Sequence, residues 1–185
     1  YTVTLPATLW FFDKARTADK RILFIDARNI FRQIDRAHRE FTPEQIQNIA
    51  CIRHLYQGDI QFYQHLLADY DTKISACEVT LTDKKAMADD AQKAVDNVKE
   101  ERTPTALKRA LDDANEVRKQ AQADLDYMVA QRQWLTDRFP DGTYADVTGL
   151  CKAASLDEIR EQDYSLNPGR YMGVEIKDDG MTETE

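Results

Sequence analysis

The chain has 185 residues, enough for one ordinary domain or two small ones with a real core, and carries 42% hydrophobic and 31% charged residues with a net charge of −8. No apolar run approaches the roughly 20 residues of a membrane helix, and the opening YTVTLPATLWFF lacks the charged n-region of a signal peptide, which argues against a membrane or secreted protein. Six Gly and five Pro are too few for a loop-rich or low-complexity chain, so long solvated helices are the expected architecture.

Cys51, Cys77 and Cys151 are widely spaced and odd in number, which suits reduced thiols in the cytoplasm rather than a disulfide framework. The charge is uneven. Residues 1–41 hold eight Lys/Arg against five Asp/Glu, a local +3, while residues 140–185 hold four against eleven, a local −7. An acidic whole argues against a general nucleic-acid coat, but its basic front end leaves a local phosphate contact open. A chain opening on Tyr1 rather than Met is expected to be a piece of something longer.

In chain order, Leu9–Phe12 (LWFF) and Ile22–Ile25 (ILFI) come first, short runs rich in aromatic and β-branched residues. They are expected to pair as antiparallel strands, and their continuous apolar character asks for cover on both faces. Arg28, Arg32, Arg36 and Arg39 follow at near-helical spacing. On a helix they would share one face and could track a phosphate backbone. Against this stands an ordinary solvated face paired with Asp35 and Glu40. Thr42, Pro43 and Gln45 then write a helix start with a capping box. Ile46, Ile49, Cys51, Ile52 and Tyr56 are its expected apolar face, and Gly58 its stop.

From residue 60 the pattern is a heptad. Leu67, Ile74, Leu81, Ala88 and Val95 recur every seven residues, as do Tyr70, Cys77, Lys84, Ala91 and Val98 three residues later. Thr103 and Pro104 are expected to cap and open a second arm with Leu107, Ala114, Ala121, Met128 and Leu135, joined by Leu111, Leu125 and Phe139 and interrupted by Arg118 and Arg132. Pro140-Asp141-Gly142 ends it. The expected object is an antiparallel helical hairpin with arms about 50 Å long. Beyond it, Ser155, Glu158 and Ile159 mark a short capped helix, and Lys177–Glu185 is acidic and expected to be disordered. The fold class is thus mostly α with a small β part, in three stretches: 1–58, 59–139 and 140–185.

Chemical motifs are sparse. No G-x-G turn suited to adenosylmethionine occurs, and Asn167-Pro168-Gly169-Arg170 lacks the second Pro and the aromatic of the motif that holds a flipped adenine. It reads as a turn. Cys51 and His54, with His65 and Asp69 further on, do not make a zinc set, which wants four convergent ligands. No catalytic, cofactor-binding or metal residue is assigned.

Four stretches carry a resemblance: Leu5–Lys14, Ile22–Arg28, Asp35–Thr42, and Gly149–Ala154 running on to Tyr164–Tyr171. In this order they resemble the C-terminal part of the modification (M) subunit of type I restriction–modification enzymes, over residues 1–58 and 143–180. The resemblance implies a parent adenine-N6 DNA methyltransferase that uses S-adenosylmethionine. It implies work on DNA with a specificity (S) subunit and a restriction subunit, in the cytoplasm. The opening strands would be the last of the methyltransferase sheet. The family's cofactor and Asn-Pro-Pro-aromatic motifs lie upstream of these blocks, so the fragment is expected to serve structure and assembly and to be inactive alone. The hairpin looks like an insertion where relatives have a short connection. The chain also stops where relatives continue into a terminal helix on the S subunit. The competing reading is a stand-alone helical interaction module, with the hairpin also able to pair between chains.

Overall fold

A computed structural model describes residues 7–12, 21–36, 38–98 and 104–173. Its strands are β1 (Ile22–Ile25), β2 (Arg32–Gln33), β3 (Arg39–Glu40) and β4 (Cys151–Ala154), and its helices are α1 (Pro43–Tyr56), α2 (Ile60–Asp96), α3 (Thr105–Arg138) and α4 (Leu156–Glu161). A 3-10 turn spans Pro168–Arg170. The chain divides into two compact units, one of residues 1–60 and 141–185 and the other of residues 61–140.

In the first unit, β1 does take strand form, but its partner is not the neighbouring apolar run. It pairs antiparallel with β4, Ile22 opposite Ala154 and Ile25 opposite Cys151, and the Asp26 amide extends the ladder to the Leu150 carbonyl at 2.7 Å. Leu9–Phe12 are not a strand; all four side chains are exposed, Phe11 at 90% and Phe12 at 85%. The core gathers Phe24, Ala154, Ile159, Tyr171 and Met172, with Ile22 and Leu166 packed at its edge. Gly149, at φ +74°, lets the chain turn into β4 while its amide donates to the Met172 carbonyl.

Both capping boxes form as their sequences dictate. The Thr42 hydroxyl accepts from the Gln45 amide and the Gln45 side chain accepts from the Thr42 amide, with Pro43 in the first turn of α1. Ser155 and Glu158 do the same for α4 and seat Ile159 in the core. The buried face of α1 differs from expectation. It runs Gln45, Asn48, Cys51, Ile52 and Leu55, whereas Ile46 is 53% exposed. The i, i+3, i+4, i+7 stripe starting at Gln45 meets the core, and Ile46 lies one step outside it. Gly58, at φ +79°, follows the end of α1.

The second unit is the antiparallel helical pair that the heptads specify. Tyr63 near the start of α2 donates its hydroxyl hydrogen to the carbonyl of Phe139 beyond the end of α3, at 2.7 Å. Further along, Asp71 accepts from Arg132 Nε at 2.6 Å. Every seam position from Leu67 to Val98 is buried or half-buried, and Leu81, Ala88, Ala121, Leu135 and Phe139 are buried outright. Of the two interruptions in α3, Arg118 is exposed and Arg132 is half-buried against Asp71. Pro104 takes the N-cap position rather than the first helical one, without a side-chain cap; Thr103 and the acidic tail lie outside the described residues. Gly142, at φ +64°, carries the chain away after α3. No described helix is long and apolar enough to cross a membrane.

Candidate nucleic-acid interface

The four arginines do not lie on a helix. Arg28 sits in a turn after β1, Arg32 on β2, Arg36 on the bend joining β2 to β3, and Arg39 on β3. The pairing register sets Arg32 opposite Glu40 and Gln33 opposite Arg39. Successive side chains alternate across a ladder, so Arg32 and Glu40 share one face, and Phe31, Gln33 and Arg39 share the other. A single run of phosphates cannot be tracked by all four.

Their electrostatic states also differ. Arg28 is clamped on Asp26, its Nε donating to the carboxylate at 2.9 Å and its Nη2 at 2.5 Å. The Asp26 side chain is nearly covered while Arg28 stays in solvent. The Arg28 guanidinium holds the Asp26 carboxyl below the usual carboxylate range against the opposing effect of burial. Arg32 ion-pairs with Glu40 across the strands. Asp35 pairs with His38 Nδ1 at 2.6 Å and accepts from the His38 amide at 2.9 Å, which closes the tip. Arg36 and Arg39 make no ion pair with a described carboxylate. Arg39 instead donates from Nε to Gln33 Oε1 at 2.9 Å and lies over the Phe31 ring, 4.2 Å from its centroid.

Gln33 and Phe31 are the residues that sequence reasoning missed. The available signal was turn chemistry, Asp35 to His38, between two extended runs. That chemistry indicates a hairpin, and a hairpin sets Gln33 opposite Arg39.

The other sequence candidates fall elsewhere. Cys51 is fully buried on α1, and burial pushes its thiol up to about 12, with the nearby Asp59 charge adding to the effect. His54 Nδ1 bonds Asp59 Oδ2 at 2.9 Å just past the end of α1, and His65 is exposed on α2. The described residues hold no His, Cys, Asp and Glu group able to bind a metal ion. Asn167 caps its own 3-10 turn, its Oδ1 accepting from the Gly169 amide at 3.1 Å. Tyr171 turns into the core, its ring stacked on Phe24.

With this geometry in place, comparison with known proteins decides the family. The N-6 DNA methylase family model matches residues 1–94 and 70–179. The chain belongs to the N-6 DNA methylase family. It is 24% identical over 182 residues to the type I restriction enzyme HindI methylase subunit of Haemophilus influenzae, which covers 98% of this chain and 23% of that protein. It is likewise 24% identical over 183 residues to the type I restriction enzyme MjaIX methylase subunit of Methanocaldococcus jannaschii, over 98% of this chain and 18% of that one. This N-6 DNA methylase chain therefore spans about a fifth of the length of the curated relatives it matches. No solved structure matches it.

Proposed function

We propose that this chain is the C-terminal segment of a type I restriction–modification M subunit. The parent methylates adenine N6 in DNA with S-adenosylmethionine, assembled in the cytoplasm with an S subunit and a restriction subunit. The segment itself completes the methylase sheet and serves assembly, and it transfers no methyl group alone.

The observation that carries this reading is the exposure of Leu9–Phe12. Four consecutive large apolar side chains stand in solvent, Leu9 at 78% and Trp10 at 54%, and among the described residues β1 has a single partner strand, β4. Covering such a run recovers about 1.5–3 kcal/mol per side chain, a strong drive to dock under a larger sheet. Residues of this type, apolar on both faces when extended, suit an interior strand of an α/β sheet. The family match, over residues 1–94 and 70–179, supports the same reading.

Within the parent, the β2–β3 hairpin is the part of this segment that contacts DNA. Asp26 and Glu40 neutralise Arg28 and Arg32, which leaves Arg36 and Arg39 as the cations facing phosphate. Isothermal calorimetry with S-adenosylmethionine tests the division of labour. The 185-residue chain should give no more heat than a control protein, and the full-length methylase should bind. Micromolar binding by the chain alone would refute it.

A further inference from the structure

Arg39 differs from its three neighbours in what holds it. Its guanidinium rests on the Phe31 ring at 4.2 Å, and its Nε–H is taken by Gln33 Oε1 at 2.9 Å. Gln33 is fixed in turn. Its Nε2 donates to the carbonyl of Asp35 and, at 3.3 Å, to that of His38, so its oxygen is the atom left to face Arg39. The carboxylate next in sequence, Glu40, is on the opposite face with Arg32. The two Nη groups of Arg39 thus have no hydrogen-bond partner among the described residues. Their direction is set by a ring below and an amide behind.

A planar guanidinium held this way meets two oxygens of one anion with little further loss of side-chain freedom. Arg36, at the tip of the same hairpin and also without an ion pair among the described residues, adds a second positive charge. We propose that Arg39 is a pre-set fork for a DNA backbone phosphate and that Gln33 is its positioning residue. The inference rests on the reading of the parent as a DNA methylase. A protein carboxylate would satisfy the same fork, but the second cation on the hairpin, Arg36, suits a run of successive phosphates better than a single acidic side chain.

The test is fluorescence anisotropy of a labelled duplex with the full-length methylase assembled with its S subunit, across salt from about 50 to about 200 mM. Arg39→Gln should weaken binding about tenfold on every sequence and lower the slope of log affinity against log salt by about 1. Arg39→Lys should keep the slope, because the charge remains, yet bind several-fold more weakly because the fork is gone. Gln33→Leu should resemble Arg39→Lys, with affinity reduced and slope retained. An Arg39→Gln assembly with wild-type affinity and slope would overturn the fork. So would one that binds DNA normally but releases the S subunit, since that outcome assigns Arg39 to a protein carboxylate. A wild-type assembly that fails to methylate any duplex would instead overturn the underlying reading.

Discussion

The ring of Tyr171 lies flat on that of Phe24, centroids 4.4 Å apart and planes 8° from parallel. The contact ties the end of the described chain to its first strand, and the Tyr171 hydroxyl donates to the Ser165 carbonyl. The two residues should differ in cost. Phe24→Ala removes a buried ring and should lower stability by about 3 kcal/mol. Tyr171→Phe keeps the stack, loses one hydrogen bond, and should cost about 1 kcal/mol. Urea denaturation of both variants checks the ratio; equal costs would place the stabilisation in the hydroxyl rather than the stack.

The helical pair makes a second contrast. Leu135 is fully buried on the seam and Arg118 is exposed although it falls in phase with it. Leu135→Ala should cost about 3 kcal/mol, and Arg118→Leu should change stability by less than about 0.5 kcal/mol. The Asp71–Arg132 pair is partly solvated. Its coupling in a double-mutant cycle should be about 0.5 kcal/mol and shrink with salt. Thermal melts followed at the helical circular dichroism band read all of these.

Acid should act on the first unit through Glu158. The Lys152 ammonium, 2.6 Å away, is the main cause that lowers its carboxyl from 4.5 to about 2, with the Ser155 backbone amide assisting. A depressed value means that the folded state holds the proton less tightly than the unfolded one. The contribution is therefore complete above about pH 4.5 and lost as pH falls towards 2. Glu158→Gln should flatten stability across that window. Ser155→Ala, which removes the other half of the capping box, should cost about 1 kcal/mol at neutral pH. Melting temperatures from pH 2 to 7 decide whether Glu158→Gln is flatter than wild type.

Elements written in local chemistry were legible before the structure was known. Each capping box needs only residues three apart, and the seam of α2 repeats within seven, so Thr42, Ser155 and the α2–α3 pair follow from short-range rules. What failed depended on distance along the chain. Cys151–Ala154, a short run of Cys, Lys and two Ala, has little strand propensity of its own, so nothing marked it as the partner of β1 over the adjacent LWFF. The arginine spacing matched a helix, but Asp35 and His38 close a turn within it and convert one shared face into two. Arg39 was visible as a candidate. Gln33 was not, because a neutral amide gains its role only once the ladder sets it opposite Arg39.

The helical pair itself is expected to be dispensable for methyl transfer. Deleting residues 62–138 from the full-length methylase and closing the gap should leave methylation with the S subunit within a few-fold of wild type. Loss of assembly in a variant that still folds would favour the other reading, in which the hairpin is the working interaction surface.

The most direct test of the account is to read the coding sequence upstream of the Tyr1 codon, for roughly 300 codons, about two domain lengths. An open frame carrying a Gly-rich turn and then Asn-Pro-Pro-aromatic is the predicted result, and it would supply the catalytic half that this segment completes. A start codon immediately before Tyr1, with neither motif in frame, would contradict the account and leave a helical binding module built on the family's C-terminal blocks.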